Sequence, residues 1–201
     1  MTSAPLPPWP AQPVAYGAVV LREFSAADVA MVRELSTDPY VPLIGSLPGH
    51  ASPQQAQDWV DRQLGRLAEG AGFSFAIAEA DTGRAVGGIG LWLGSLDQGR
   101  ATAGYSVAPS ARGRGVAAAA LTALTTFAWS IPALHRIELY IEPWNVGSVK
   151  TAERAGYERE GLLRSHQVIG GRRRDMLLYT VIRDSPRRAR QPHPELRIPP
   201  S

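Results

Sequence analysis

Residues 107–117 read Val-Ala-Pro-Ser-Ala-Arg-Gly-Arg-Gly-Val-Ala. The β-prone run ending at Val107 is broken by Pro109, passes through a turn with glycine at 113 and 115, and continues into the Ala-rich stretch 116–130. Proline cannot donate to a sheet ladder, glycine permits a tight turn and alanine favours helix, so the segment is a strand-turn-helix junction. At such a junction successive backbone N–H groups converge on one point, where the helix dipole favours negative charge. The natural guest is a phosphate or pyrophosphate. Gly113 and Gly115 permit its close approach, and small Ala117 leaves the first helical turn clear. A tight turn with no ligand is the plain alternative.

Two other phosphate motifs fit poorly. Gly113-x-Gly115-x-x-Ala118 formally matches the dinucleotide fingerprint, with Glu138 a tolerable distance onward. That fold places its fingerprint at the first strand of repeated βαβ units. Here three strand-like runs, 73–80, 85–93 and 100–107, come first, and their short connections are of the antiparallel kind. A nucleotide P-loop needs Gly-Lys-Ser/Thr, yet the single lysine is Lys150, and no Gly-x-Ser-x-Gly hydrolase elbow occurs.

Toward the N-terminus, Val19–Arg22 reads as a strand, Ser25 opens a helix with the stripe Val29, Val32, Leu35, and the Pro/Gly-rich stretch 39–50 reads as a loop able to shape a pocket. Ser52-Pro53-x-Gln55 is a capping box that starts a helix running to about Glu69. Toward the C-terminus follow a strand at 136–142, a helix at 146–155, and strands at 162–169 and 175–183 turning at Gly170-Gly171. Only the step through the 116–130 helix need be parallel. The spacing predicts an α+β fold: a mixed, mostly antiparallel sheet with a central parallel pair and helices on both faces.

The chain of 201 residues makes one domain of ordinary size. The proline-rich residues 1–16 and the Arg/Pro-rich residues 185–201 are expected to be disordered around a body at 17–184. Cysteine is absent and the four histidines are scattered, which argues against a metal centre, thiolate chemistry and disulfides. No apolar run reaches the roughly 18 residues of a membrane helix, and the N-terminal 16 residues lack the features of a signal peptide, so a cytoplasmic protein with no membrane partner is expected. The net charge is +3, and four arginines against Glu195 in residues 185–201 account for all of it. The body is therefore neutral, which argues against a nucleic-acid partner on charge grounds; RNA association through Arg187, Arg188 and Arg190 is the minor reading.

Arg112-x-x-Gly115-x-Ala117 resembles the Q/R-x-x-G-x-G/A signature of the GNAT acyltransferases, and the wider run resembles their RimJ/RimL-type branch. The resemblance continues, in the family's order, through Gly104-Tyr105-x-Val107-x-Pro109, Leu134-His135-Arg136-Ile137-Glu138-Leu139, Pro143-x-Asn145-x-x-Ser148, Ala155-Gly156-Tyr157-x-x-Glu160-Gly161 and Arg174-Asp175-x-x-Leu178-Tyr179. It implies that the strands at 100–107 and 136–142 are parallel and splay apart, with the pantetheine arm of acetyl-CoA between them. It further implies a pyrophosphate site at Arg112, Gly113, Arg114, Gly115, Val116 and Ala117, an oxyanion donor in the Val107 N–H, a pantetheine contact from Asn145, and Ser148 near the sulfur. A cytoplasmic N-acetyltransferase follows, transferring acetyl directly to a primary amine, with acetyl-CoA as co-substrate, no metal, and room for a homodimer.

Helix capping alone also explains Asn145-x-x-Ser148. Tyr140 and Glu142 share one face of the 136–142 strand by its period of two, which makes both candidate catalytic residues beside Ser148. Two departures stand out: Thr102 lies where many RimJ/RimL-type members carry a carboxylate, and Ala118-Ala119 replaces their Thr-Glu. The base then falls to Glu142, to an acid near 39–50, or to a water chain; a non-catalytic acyl-CoA-binding module is the rival reading. The loops at 39–50, 94–99 and 164–174 carry Asp97 against Arg164, Arg172, Arg173 and Arg174, with Asp38 at the margin. That balance favours a weakly charged or acidic amine, a peptide α-amine or small amino compound, over the aminoglycoside of an antibiotic-modifying enzyme.

Overall fold

The computed structural model describes residues 6–183. Strands β1 (Val14–Tyr16), β2 (Val19–Arg22), β3 (Gly72–Glu79), β4 (Ala85–Ser95), β5 (Arg100–Val107), β6 (Arg136–Ile141), β7 (Glu158–Ile169) and β8 (Arg172–Ile182) form one sheet of order β1-β2-β3-β4-β5-β6-β8-β7. All its neighbours are antiparallel except β5 and β6. The helices are α1 (Val29–Leu35), α2 (Val41–Ile44), α3 (Pro53–Gly65), α4 (Val116–Ala128) and α5 (Val146–Arg154). This is the α+β class and the single parallel step that the spacing predicts.

Alternation along β3 divides the core. Phe73, Phe75 and Ile77 pack with Leu121 and Leu124 of α4, whereas Ala76 turns to the other face, among Phe24, Val32, Leu35, Ala56 and Val60 from the α1–α3 side. On that side α3 starts as its capping box requires: the Ser52 hydroxyl accepts from the Gln55 N–H (3.2 Å) and Gln55 Oε1 accepts from the Ser52 N–H (2.9 Å). No helix among the described residues is long and apolar enough to cross a membrane.

Two expectations need correction. The ordered body begins before residue 17: β1 pairs with β2 around a turn at Gly17, and the Trp9 ring lies 4.6 Å from that of Phe75 and 6.2 Å from that of Phe73. The prolines before Val14 do not prevent this, because an extended proline-rich segment can still bury an aromatic side chain. The stretch 39–50 is not all loop, since α2 forms inside it. Asp38 Oδ1 accepts from the N–H groups of Tyr40 (2.7 Å) and Val41 (3.0 Å), and Pro42 sits in the first turn, where its missing N–H costs nothing. The expected disorder of 185–201 lies outside the described residues.

One buried ion pair fastens β2 to the α1–α3 layer. Asp28, 2% exposed, accepts from both Nη atoms of Arg22 (2.8 and 2.7 Å) and from the Ser25 N–H (2.9 Å). Burial opposes its ionisation, but the Arg22 guanidinium and the Ser25 N–H together hold the carboxyl below its ordinary 3.8. A depressed carboxyl stabilises the fold above that value and ceases to do so as the pH falls through its folded pKa. Arg22→Ala is therefore expected to cost about 2 kcal/mol at pH 7, because it leaves a buried charge without its partner. Urea unfolding should show the difference from wild type narrowing below pH 3.8.

Candidate active site

Parallel strands β5 and β6 pair over only three positions, Arg100 with Arg136, Ala101 with Ile137 and Thr102 with Glu138. Beyond them β5 continues along β4 to Val107 and β6 continues along β8 to Ile141, so the two strands part inside the sheet. The Ala108 N–H donates to Val86 O on β4 (2.9 Å). By alternation, Ala103, Tyr105 and Val107 turn their peptide groups the other way, into the gap. A cleft of about 600 Å³ occupies this region, bounded by Asp38–Ile44, Tyr105–Val107 and the first turns of α4 and α5.

The junction at 107–117 forms one wall. Gly113 and Gly115 adopt φ of +78° and +77°, a left-handed conformation that costs other L-residues roughly 1–2 kcal/mol. No atom lies within 4 Å of where a Cβ would stand on either glycine, so the space beside this backbone is open. Gly115 is the N-cap of α4 and has no side chain to offer, and the bond from Ala119 N–H to Gly115 O (3.1 Å) is the first of the helix. Val116, Ala117 and Ala118 accordingly keep the unpaired N–H groups of a helix start, and all three residues line the cleft.

The opposite wall is α5. Asn145 Oδ1 accepts from the Ser148 N–H (3.1 Å), so the capping reading is realised, while the Asn145 amide nitrogen and the Ser148 hydroxyl are not consumed by that bond. The Tyr105 hydroxyl donates to the Ser148 carbonyl (3.3 Å). Burial pushes its phenol up against the opposing influence of Ser148 and Thr151, so Tyr105 is protonated at neutral pH. Lys150 and Arg154, one turn apart, place two exposed cations on the cleft.

A third group closes the near end. Arg112 Nε donates to Val107 O (3.0 Å), and its Nη1 pairs with Asp38 (2.6 Å), tying the glycine turn to the end of β5 and to the start of α2. Burial disfavours the Asp38 carboxylate, but the Tyr40 N–H, Arg112 and the Val41 N–H overcome that and hold its carboxyl below the usual range. Tyr40 and Trp144 meet edge-on, 4.9 Å between centroids at 84°, and both line the cleft. Burial first, and then the neighbouring Glu142 carboxylate, pushes the Tyr40 phenol well above 10.

Val107, Arg112, Gly113, Gly115, Val116, Ala117, Asn145 and Ser148 thus converge on one cleft. Arg114 does not: its side chain leaves the turn outward and pairs with Glu79 (3.3 Å). Tyr140 and Glu142 also stay off the wall. The Tyr140 hydroxyl donates to Glu138 (2.7 Å), its ring stacks on His166 (4.9 Å), and burial with the Glu138 carboxylate pushes the phenol up to about 12. Glu142 is 3% exposed, with Arg174 Nε 3.5 Å away and Tyr40 beside it. Sequence reasoning passed over Tyr40, Tyr105, Lys150 and Arg154 as site residues. The signals were present for two pairs: Tyr105 and Val107 are two apart on a strand, and Lys150 and Arg154 are four apart on a helix.

Comparison with known proteins agrees with this geometry. Residues 18–158 match the acetyltransferase (GNAT) domain family. An uncharacterised N-acetyltransferase, p20, of Bacillus licheniformis is 26% identical over 165 residues, which is 82% of this chain and 93% of the relative. Among solved structures, Mycobacterium smegmatis RimJ in complex with CoA-disulfide is 27% identical, with a TM-score of 0.71 and 86% of each chain covered. RimL, a ribosomal L7/L12 alpha-N-protein acetyltransferase in complex with coenzyme A, is 18% identical with a TM-score of 0.72, with 85% of this chain and 98% of its own covered. The family match spans well over half of the sequence and includes both splayed strands and the glycine turn, so the chain belongs to the GNAT acetyltransferases.

Proposed function

We propose that this protein transfers an acetyl group from acetyl-CoA directly to a primary amine, either a peptide N-terminal α-amine or a small amino compound. The observation that carries this reading is the gap between β5 and β6, which opens onto the uncapped start of α4 and the cations of α5. The residues present fit the co-substrate: the space beside Gly113 and Gly115 is free of side chains, and Val116, Ala117 and Ala118 offer N–H donors to a pyrophosphate. Lys150 and Arg154 add charge for its phosphates, and the peptide groups of Ala103, Tyr105 and Val107 offer a strand edge to the pantetheine amides. Acetyl-CoA supplies an activated thioester.

The chain's own groups account for the rest of the chemistry. The Val107 N–H points into the gap, where it stabilises the oxygen that gains charge as the amine adds to the thioester carbonyl. When the carbon–sulfur bond breaks, the Ser148 hydroxyl hydrogen-bonds to the leaving thiolate and passes it a proton taken up from water in the same step, so that Ser148 ends as a hydroxyl, and Tyr105 holds the Ser148 backbone in place. The amine's own proton leaves through the Tyr40 phenol to Glu142, the carboxylate behind it. Asp38 is a poor base here, because its depressed carboxyl is held by Arg112. Tyr140 fastens β6 through Glu138 and takes no part in the transfer.

Calorimetry is expected to show acetyl-CoA binding to the wild type and a loss of at least about 100-fold in Gly115→Glu, which puts a carboxylate at the phosphate site. The double variant Lys150→Ala, Arg154→Ala should bind several-fold more weakly and lose part of the salt dependence of binding. In steady-state kinetics Ser148→Ala and Glu142→Gln are each expected to lower kcat by about 10- to 100-fold with KM for acetyl-CoA little changed, while Tyr140→Phe stays near wild type. Binding of acetyl-CoA without turnover on any amine would instead establish the non-catalytic module.

A further inference from the structure

A second cavity, of about 180 Å³, opens on the α1–α3 side of the sheet and shares Val41, Ile44, Tyr105 and Ser106 with the main cleft. Its floor is glycine backbone on which aromatic rings of the protein already lie. A Cβ on Gly88 would stand 3.1 Å from the Phe24 ring, and one on Gly90 or Gly104 would stand 3.0 Å from the Trp92 ring. Glycine weakens a strand, so its recurrence on one face of β4 and β5 marks a place where rings must approach the sheet closely. The walls are Phe24 and Trp59, meeting edge-on at 5.3 Å, with Trp92 and Leu35.

Gln63 and Ser74, on the lining of this cavity, already have partners. Gln63 Oε1 accepts from Arg66 Nε and from the Ser74 hydroxyl, both at 3.0 Å, and Gln63 Nε2 donates to Trp59 O (3.1 Å). Arg66 is the one charged residue on the lining, and its guanidinium lies 5.3 Å from the centroid of the Trp92 ring. No carboxylate on the lining welcomes a cation. An apolar cavity of roughly 150 Å³ holds a benzene ring, so this one is large enough for one aromatic or large aliphatic side chain.

We infer that this cavity is the acceptor's side-chain pocket and that the acceptor is a neutral or anionic primary amine bearing an aromatic or large aliphatic group. The inference rests on the acetyltransferase reading above. The amine lies where the two cavities meet, over Tyr105 and Ser106, and the apolar group lies against the Phe24, Trp59 and Trp92 rings that the glycines let settle on the sheet. A polycation is disfavoured, because Arg66 repels it and no acid compensates.

The test is acetyl transfer to phenylalanine amide, leucine amide, alanine amide, a Phe-Ala dipeptide and kanamycin, by wild type and Trp92→Ala. Trp92 is 37% exposed and belongs to neither core cluster, so its removal leaves the fold intact. The phenylalanine and leucine amides should exceed alanine amide by at least about tenfold in kcat/KM, with kanamycin lowest. Trp92→Ala should reduce that ratio to about two- or threefold with acetyl-CoA affinity unchanged, and Trp59→Leu should do the same. A dipeptide far better than the amide identifies a peptide source. Turnover with alanine amide or kanamycin equal to phenylalanine amide overturns the pocket and leaves the enzyme reading standing. If no amine is turned over, that reading fails and quenching of tryptophan fluorescence by the amides decides the pocket. Tighter binding of phenylalanine amide, lost in Trp92→Ala, supports it, and equal binding of the two amides overturns it.

Discussion

Two adjacent parallel strands that stop pairing after three residues impose a definite requirement on everything around them. Each of β5 and β6 must find its hydrogen bonds on its outer side, from β4 and β8, because their facing edges are left open beyond Thr102 and Glu138. Open backbone inside a protein is costly unless water or a ligand satisfies it. The long antiparallel partners on both flanks make the opening sustainable, and the turn at 108–115 and the start of α5 occupy its two margins. The cleft is a consequence of that divergence, and the open peptide edge is its most distinctive chemical feature.

Ionic contacts hold the margins. Arg112 joins the glycine turn to β5 and to Asp38, while Arg136 bonds Glu138 (2.7 Å) and Glu160 (2.7 Å) and so fastens β6 to β7. Glu138 shows how far a carboxylate's role depends on its neighbours. It stands beside Thr102 in the parallel register. Here it already accepts from Arg136 and Tyr140, so it serves as a tie between side chains. Glu142, behind Tyr40, has no such bonds from Arg136 or Tyr140, and its ion pair is with Arg174.

Much of this was legible in the sequence, and the omissions have physical causes. Ser52, Pro53 and Gln55 act within one turn, so local spacing was enough to place α3. The strand-turn-helix at 107–117 was legible for the same reason. Arg112 and Arg114 look equivalent on either side of Gly113, but the left-handed turn sends one inward and the other out to Glu79, a difference that no residue count contains. The turn of helix at 41–44 was hidden because Pro42 and Gly45 read as breakers until Asp38 is seen to hold its start. Gly88, Gly90 and Gly104 become one floor only through the β4–β5 register, which pairs Gly90 with Gly104 across fourteen residues of chain.

The N-terminal segment bears on how this domain can be handled. The matched family boundary falls at residue 18, yet Trp9 covers Phe73 and Phe75, and Val14–Tyr16 hydrogen-bonds along β2. A truncation placed at that boundary would strip β2 of its outer partner, leaving a sheet edge with unpaired N–H and C=O groups next to uncovered aromatic rings. Such an edge invites strand-to-strand association between molecules. Insolubility of a protein trimmed in this way would reflect that missing cover, and because α4 packs on the same face as Val14 and Trp9, the cleft wall formed by its first turn would lose support as well.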